Sequence, residues 1–353
     1  SIYELGMDTI PSDTVCYPAK LVHGHIKWLA QNGAQVIFYP SIKFEREEDS
    51  ATDNHFNCPI VATYPEVIAG NMGEVFEQYN VIFLHPFLPY NDDKRLEKRR
   101  AEELSLFGVK FAEVKRAVAK ARAEDERFKR DIYEMGRKAL AVIKKEGLPA
   151  IVLAGRPYHL DPEINHGIDK LITSYGMAVL TEDSVARDIT MHRPLRVLDQ
   201  WMYHSRLYKA AEFVGKHNNI ELVQLNSFGC GLDAITTDQV EEILNCKNKL
   251  YTLLKIDEIN NLGAVRIRIR SLKAAMEERR RHNMHAVDRP YVFKRAIFTE
   301  EMKEEYTILV PQMSPIHFNL LEAAIASFGY KVKLLPEVDV HAIEEGLKYI
   351  NND

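Results

Sequence analysis

The sequence predicts an α/β fold with two parallel-sheet domains and a charged helical insertion between them. Apolar, strand-like runs alternate with helix-like runs in residues 1–92, and the same alternation resumes at residue 148. Helices that alternate with strands pack on a parallel sheet, so each region is expected to form one. Residues 93–147 differ, because they are dense in charged residues, contain no proline and are patterned for helix.

The composition is that of an ordinary globular protein, and it argues against a nucleic-acid-binding, a membrane-spanning or a disulfide-rich secreted protein. The chain has 353 residues, of which 46% are hydrophobic and 27% are charged, and its net charge is −5. This acidic balance gives no reason to expect nucleic-acid binding. No apolar run approaches the roughly 20 residues that span a bilayer. The four cysteines are too few for a secreted disulfide scaffold, so we expect a cytoplasmic protein.

The first domain, residues 1–92, is predicted to begin with a helix preceded by Cys16. Pro18 is tolerated in a first helical turn, and Gly33 is a typical stop. Cys16 would then lie beside free backbone N–H groups at the positive end of a helix dipole, where a thiolate is stabilised. The strands of this domain are expected in "QVIFYP" and "NVIFLHPFLP". No strand–helix–strand unit comes before the helix, so we expect the domain to be incomplete at its start.

In the insertion, residues 93–147, one apolar helix face is expected to pack while the charged faces are solvated. The residues of this face are Val114, Val118, Ala121, Phe128, Ile132 and Met135.

The second domain, residues 148–303, has four predicted strands, each followed by a helical stretch. Thr236 and Gln239 fit a capping box, which predicts that a helix starts at "TTDQVEEIL". A further helix is predicted after "NNLG" from the spacing of apolar residues. The strands are "AIVLAG", "MAVL", "IELVQLN" and "LYTLLKID", and the apolar residues are Val265, Ile269, Leu272 and Met276.

The tail, residues 304–353, has the pattern strand, helix, strand. It is predicted either to start a next repeat or to complete the first sheet. The same three residue types recur with the same spacing near the two ends of the chain. This terminal echo favours a fragment of a longer, repeated protein, whose ends do not coincide with the ends of a repeat. The echo consists of Gly6, Ile10 and Asp13 near the start and Gly346, Ile350 and Asp353 at the end.

Three cysteines lie where open α/β sheets place their ligands. Cys16 and Cys58 are at a helix start or late in a long loop, and Cys230 directly follows a predicted strand. Gly229 and Gly231 would let the backbone approach a bulky group closely. Cys246 falls inside a predicted helix. The residues alone leave three interpretations open: unligated buried thiols, a bound cluster, or a zinc site with a fourth ligand from His23, His25 or Cys246.

A second loop, "GRPYHLDPEINHG", follows a strand and faces the same crevice. Arg156, His159 and His166 could contact an anion or a CoA thioester there, support a cluster, or only shape the turn. Asp257 and Glu258 end another strand at this edge. No glycine-rich phosphate fingerprint occurs in the sequence, so this chain is not expected to bind ATP.

Five segments, in order, resemble the large fused proteins of the 2-hydroxyacyl-CoA dehydratase and benzoyl-CoA reductase superfamily, in their activase-related, dehydratase-subunit-like region. The resemblance covers nearly the whole chain. In those proteins ATPase modules precede this region and a further dehydratase-like half follows. The segments are "SDTVCYPAKLVHGHI", "NCPIVATYPEVI", "LAGRPYHLDPEINHGI", "NSFGCGLDAITTDQV" and "LLKIDEINNLGAVRIRIRSL".

This resemblance implies two Rossmann-like domains that hold a [4Fe-4S] cluster between them through Cys16, Cys58 and Cys230. It implies ATP-driven, low-potential electron transfer in anaerobic metabolism, as a component of a reductase- or dehydratase-like radical enzyme. The implied partners are an ATPase activator, a homologous dehydratase-like half or subunit, and an acyl-CoA thioester. The alternative from the same resemblance is a docking half that binds the activator and carries no working cluster.

Overall fold

The computed structural model describes residues 1–258, 262–287, 289–335 and 339–349. The chain divides into two compact units, Ser1–Val292 and Phe293–Asp353. Both units combine helices with parallel strands, so the predicted α/β class is confirmed. No helix in these ranges is long and apolar enough to cross a membrane. The finer domain bounds at residues 92, 147 and 303 stay a prediction.

The larger unit contains twelve α-helices and six strands within the described residues. Its helices are α1 (Ile2–Gly6), α2 (Tyr17–Gln31), α3 (Pro59–Asn71), α4 (Gly73–Tyr79), α5 (Asp93–Leu104), α6 (Phe111–Glu146), α7 (Pro162–Asn165), α8 (Ile168–Ser174), α9 (Glu182–Val185), α10 (Met202–Val214), α11 (Gly231–Cys246) and α12 (Gly263–Arg281). Its strands are β1 (Val36–Phe38), β2 (Ile82–Leu84), β3 (Ala150–Ala154), β4 (Ala178–Thr181), β5 (Ile220–Ser227) and β6 (Tyr251–Ile256).

The first sheet has two short parallel strands, β1 and β2, paired from Val36 with Ile82 to Phe38 with Leu84. Helices α2, α3 and α4 supply its apolar core, in which Ile68 and Met72 are fully buried. Pro18 lies in the first turn of α2 as predicted. Gly33 follows the helix with a positive φ of 86°, which explains why the helix stops there.

The second sheet has four parallel strands in the order β4-β3-β5-β6. Every residue of β3 and β5 is buried, as expected for central strands covered by helices on both faces. From β3 the chain crosses to β4 on one side and then returns to β5 on the other. The carboxyl ends of β3 and β5 therefore border a topological switch point, the place where such sheets bind ligands.

The predicted charged insertion forms α5 and the 36-residue helix α6. Val114 and Val118 are buried against α5 and Leu88, as the spacing predicted. Phe128 and Met135 are 57% and 63% exposed, so the prediction that they pack is wrong. The packed face rotates along the helix, because α6 leaves α5 and meets α9 through Gly136.

Two predictions for the later helices have opposite outcomes. The helix that follows Cys230 begins at Gly231, so Thr236 is not its N-cap and the predicted capping box is wrong. The Thr236 hydroxyl instead donates to the Leu232 carbonyl within the helix. The helix predicted from Val265, Ile269 and Leu272 is confirmed as α12, and these three side chains are its buried face.

The smaller unit has the predicted strand–helix–strand and two flanking helices. Its two strands are parallel, paired from Thr307 with Lys331 to Pro311 with Leu335. Among the described strands β7 pairs with β8 alone, and the role of the tail stays a prediction. Ile350 and Asp353 of the terminal echo lie outside the described residues. The elements are α13 (Glu300–Glu305), β7 (Thr307–Pro311), α14 (Pro315–Ser327), β8 (Lys331–Leu335) and α15 (Val340–Gly346).

Candidate functional site

The three candidate cysteines occupy the same kind of position. Cys16 is the N-cap of α2, Cys58 is the N-cap of α3 and Cys230 is the N-cap of α11. None of the three cysteines forms a disulfide. Each thiol therefore lies at a helix N-terminus, the end of a helix that favours an anionic group.

The loops of Cys16 and Cys230 are in direct contact. Gly229 has a positive φ of 74°, and a Cβ atom at this position would lie 2.6 Å from the carbonyl oxygen of Thr14. Only glycine fits this turn and this close approach. Cys58 belongs to the same neighbourhood, because Cys16 and Ile60, two residues after Cys58, pack on the same apolar core.

The surroundings of Cys16 and Cys230 favour the neutral thiol over the thiolate. Burial raises the pKa of Cys230 to about 12, helped by the charge of Asp233 and opposed by Arg156. Burial likewise raises the pKa of Cys16, although the Ala19 backbone N–H opposes it. The helix N-terminus therefore favours the Cys16 thiolate through the Ala19 N–H, as expected, but burial outweighs this effect and the pKa is raised.

Arg156 connects the loop after β3 to Cys230. Its Nη2 atom donates to the Cys230 Sγ at 3.7 Å, to the His204 Nε2 at 2.7 Å and to the Asp233 Oδ1. Burial opposes the charge of Arg156, but Asp233 more than offsets it, so the pKa of Arg156 is raised. Burial would raise the pKa of Asp233, but Arg156 holds it well below its ordinary value. A buried ion pair thus places a fixed positive charge beside Cys230.

His159 braces the same loop rather than facing a ligand. Its Nδ1 accepts from the Arg156 backbone N–H at 2.9 Å, so its proton is on Nε2, which lies 3.2 Å from the Ser227 hydroxyl. Burial lowers the pKa of His159 to about 3, so the ring is neutral. His159 therefore fixes the backbone that carries Arg156.

His166 lies apart from this group. It has a left-handed φ of 53°, and its Nε2 donates to the carbonyl oxygen of Asp257 at 2.8 Å. Its ring stacks on Tyr17 with centroids 5.9 Å apart. Glu258 pairs with the buried Lys20 of α2 at 3.1 Å. These contacts join α2 to the end of β6, so His166 supports the segment next to Cys16 from the opposite side.

The segment before Cys58 is tied to the second sheet. The backbone N–H of Phe56 donates to the Gln200 carbonyl at 2.9 Å, and the Phe56 ring packs on Trp201 at 5.7 Å. Trp201 in turn meets the His204 ring edge-on at 6.4 Å. A chain of contacts therefore runs from the Cys58 loop through α10 to Arg156 and Cys230.

A cleft of about 480 Å³ opens beside this chain of contacts. Its wall includes Pro157 and Leu160 from the Arg156 loop, together with parts of α6 and α10. The loop before Cys58 closes one side through ion pairs. Arg206 makes two hydrogen bonds to Glu48, at 2.7 and 2.9 Å, and Lys209 pairs with Asp49 at 2.9 Å.

The zinc alternative fails for the residues proposed as fourth ligands. His23 is fully buried between Tyr64 and Thr9 at hydrogen-bond distances of 3.0 and 2.9 Å. His25 is exposed on α2, and Cys246 ends α11. In the part of the chain that the structure describes, no three His, Cys, Asp or Glu side chains are grouped closely enough for one metal ion. The thiolates around a multi-iron cluster bind different irons and therefore stand further apart than the ligands of one ion.

Sequence reasoning missed two residues of the site, Asp233 and His204. Asp233 lies three residues after Cys230, in the first turn of α11, where an acidic residue is usually a simple helix-end charge. Its link to Arg156 crosses 77 positions of sequence. His204 lies inside α10 with no local pattern around it, so only the fold could bring it to Arg156.

One comparison with known proteins gives a match. A family model described as a CoA enzyme activase uncharacterised domain (DUF2229) matches residues 1–185. This region holds Cys16, Cys58 and Arg156, while Cys230 lies beyond it. A search of curated proteins finds no match. Since the matched region is more than half of the 353 residues, the chain belongs to the family of the CoA enzyme activase uncharacterised domain (DUF2229).

Proposed function

We propose that Cys16, Cys58 and Cys230 together bind a [4Fe-4S] cluster, and that the protein takes part in ATP-driven, low-potential electron transfer. The observation that carries this proposal is the shared N-cap position of the three cysteines, on three helices of which two, α2 and α11, have their loops in direct contact. Thiolates are the ligands that such clusters use, and helix N-termini favour the negative charge of a cluster.

The residues around Cys230 fit such a group. Three buried polar atoms there, Arg156 Nε, His204 Nδ1 and Asp233 Oδ2, have no hydrogen-bond partner among the described residues. Buried polar atoms without a partner usually have one that is not part of the chain, such as water or a bound group. A cluster held by three thiolates leaves one iron without a protein ligand, and it supplies one-electron transfer and Lewis-acid activation of an oxygen atom.

Arg156 and the residues that position it would stabilise the negative charge of a bound cluster. Arg156 donates to the sulfur of Cys230, and a hydrogen bond to a ligand sulfur raises the reduction potential of a cluster. Asp233 and His204 keep the guanidinium in place, and His159 fixes its backbone. Arg156 is buried, so its charge is screened less than at the surface, while Asp233 balances part of it.

The partners follow from the same proposal. The family description points to an activator-type relationship with CoA enzymes. We infer that an ATPase activator module delivers the electron and that a homologous dehydratase-like half or an acyl-CoA thioester receives it. If the protein acts as an enzyme, it is a component of a reductase- or dehydratase-like radical enzyme.

The test is anaerobic reconstitution of the chain with iron and sulfide, followed by iron and sulfide analysis, visible absorbance and electron paramagnetic resonance of the reduced sample. We expect about four iron atoms per chain. Cys16→Ala, Cys58→Ala and Cys230→Ala should each lose most of the iron. Cys246→Ala is the matched control, since it removes the one cysteine outside the group and should keep the iron.

The opposite outcomes are equally clear. No iron in the reconstituted chain, or equal losses from Cys246→Ala and Cys230→Ala, would contradict the proposal. An iron-free chain that still binds the ATPase activator, with or without Cys16, would instead identify a docking half. Thermal unfolding of each variant shows whether a loss of iron comes from the missing ligand or from a loss of fold.

A further inference from the structure

The second half of α6 carries an exposed apolar stripe. Phe128, Met135 and Val142 are 57%, 63% and 48% exposed, and they recur at every seventh position. Seven residues are close to two helical turns, so the three side chains line up along one side of the helix. The stripe is not a continuation of the packed face, which contains the buried Gly136 and Ile143.

Four exposed charges run beside the stripe with the same spacing of seven. Glu124 and Asp131 lie in its amino-terminal half, and Lys138 and Lys145 lie in its carboxyl-terminal half. Within the described residues, Glu124 pairs only with the neighbouring Arg127, and no ion pair involves the other three. The order of charges along the helix is therefore negative, negative, positive, positive.

This order is self-complementary when two copies of the helix run in opposite directions. A two-fold axis between Glu134 and Met135 places Asp131 opposite the Lys138 of a second copy. The same axis places Glu124 opposite Lys145 and Phe128 close to Val142, while the two Met135 side chains meet at the centre. A parallel arrangement would instead place like charges opposite each other, which is unfavourable.

We propose that this stripe is an interface between two copies of the chain, formed by antiparallel pairing of the second half of α6. An isologous interface uses the same patch on both subunits, which requires the self-complementary pattern found here. Three apolar side chains per copy are few for an interface, since stable interfaces bury about 800 Å² per partner. The dimer is therefore reversible, and added salt weakens it because its ion pairs are exposed.

The test is sedimentation velocity of the full chain over a range of concentrations. We expect the mass to rise from 40.6 kDa towards twice that value at concentrations on the order of 100 μM. Met135→Lys should abolish the dimer, because two lysines would meet at the axis. Asp131→Lys should raise the dissociation constant by about tenfold, since the two-fold axis repeats each like-charge contact.

The double variant Asp131→Lys with Lys138→Asp is the decisive arm, because it reverses both partners and restores opposite charges. It should return the dissociation constant, which either single charge reversal raises, to near the wild-type value. Arg130→Asp is the matched control, as an exposed charge reversal on another side of α6 that should change nothing. A wild-type chain that stays monomeric, or a double variant no better than the single ones, would overturn the proposal.

Discussion

Gly229 is the residue on which the meeting of the Cys16 and Cys230 loops depends. A side chain here would clash with the carbonyl oxygen of Thr14 and would require an L-residue at a φ of 74°. We predict that Gly229→Ala lowers the free energy of unfolding by about 1–3 kcal/mol. The same variant should lose iron on reconstitution, because Cys16 and Cys230 separate. Calorimetry and iron analysis measure the two effects.

Gly231 provides the control for this change. It lies two residues further on, at the first position of α11, and a Cβ atom there would meet nothing within 4 Å. Gly231→Ala should therefore leave both the stability and the iron content near those of the wild type. Equal effects of the two substitutions would show that the contact with Thr14 is not what joins the loops.

Glu182 should make the stability of the protein depend on pH. Burial raises the pKa of this carboxyl to about 8, and the neighbouring Asp183 adds to the shift against the opposing charges of Arg206 and Arg156. In the unfolded chain the pKa of this carboxyl is near its ordinary value of 4.5. The folded state therefore binds the extra proton, so its stabilising contribution is complete below the unfolded pKa and is lost as the pH rises through about 8.

The measurement is chemical denaturation of the wild type and of Glu182→Gln across this pH range. The variant keeps a neutral side chain, so its stability should not fall with this titration. The wild type should lose up to about 1.4 kcal/mol per pH unit relative to Glu182→Gln. Glu77→Gln is the control, as the same substitution at an exposed carboxyl of α4. Parallel curves for the wild type and Glu182→Gln would show that Glu182 ionises freely.

Some residues of the site could be predicted from the sequence and others could not. Cys16, Cys58 and Cys230 were recognisable because local signals, a first-turn proline or a preceding strand, place them at a helix start or in a loop after a strand. His166 carried a similar local signal, yet it serves the end of β6. The partners of Arg156 come from other elements, and no local pattern encodes a contact across 77 positions. Burial, which sets the state of the thiols, is likewise a property of the assembled fold.

At the scale of elements, the contact between α6 and α9 depends on Gly136. A Cβ atom at this position would lie 2.5 Å from the carbonyl oxygen of Ser184, so the two helices would have to move apart. Alanine is a better helix former than glycine by up to about 1 kcal/mol. We predict that the clash outweighs this gain and that Gly136→Ala destabilises the protein by about 1–3 kcal/mol.

Gly70 supplies the matched control in an open environment. It lies inside α3, and a Cβ atom there would meet nothing within 4 Å. Gly70→Ala should therefore show the helix-propensity gain alone and raise the melting temperature. If Gly136→Ala were also stabilising in calorimetry, the close approach of α6 and α9 would not contribute to stability.

Elements were easier to predict from the sequence than the surfaces they use. The strands of the second sheet were visible as continuous apolar runs because central parallel strands are buried on both faces. The packed face of α6 could not be predicted in the same way. Apolar residues keep their helical spacing along α6 beyond the point where α5 stops covering the helix. Phe128 and Met135 keep the helical period but stay 57% and 63% exposed. Periodicity identifies a helix face, whereas burial also needs a neighbour.

For the whole molecule, the division after Val292 predicts that the larger unit folds without the smaller one. All residues of the cysteine site and both of its sheets lie in Ser1–Val292. We expect a chain ending at Val292 to keep cooperative thermal unfolding and the iron content of the full chain. The smaller unit alone should remain unfolded, since its sheet has two strands and its helix α14 buries no residue.

A shorter chain, ending at Asn283, tests whether the residues just before Val292 are needed for the larger unit to fold. It removes the Arg289 carbonyl, which accepts from the fully buried Lys247 ammonium at 2.9 Å. It also removes Tyr291, whose hydroxyl donates to Glu242 at 2.7 Å. Lys247 would keep Glu212, at 3.0 Å, but would lose its second partner. A buried charge that loses a hydrogen bond costs about 1–3 kcal/mol, so this chain should melt earlier than the one ending at Val292. Equal melting of the two chains would place the boundary of the larger unit before residue 284, and loss of cooperative unfolding in both would show that the larger unit depends on the smaller one.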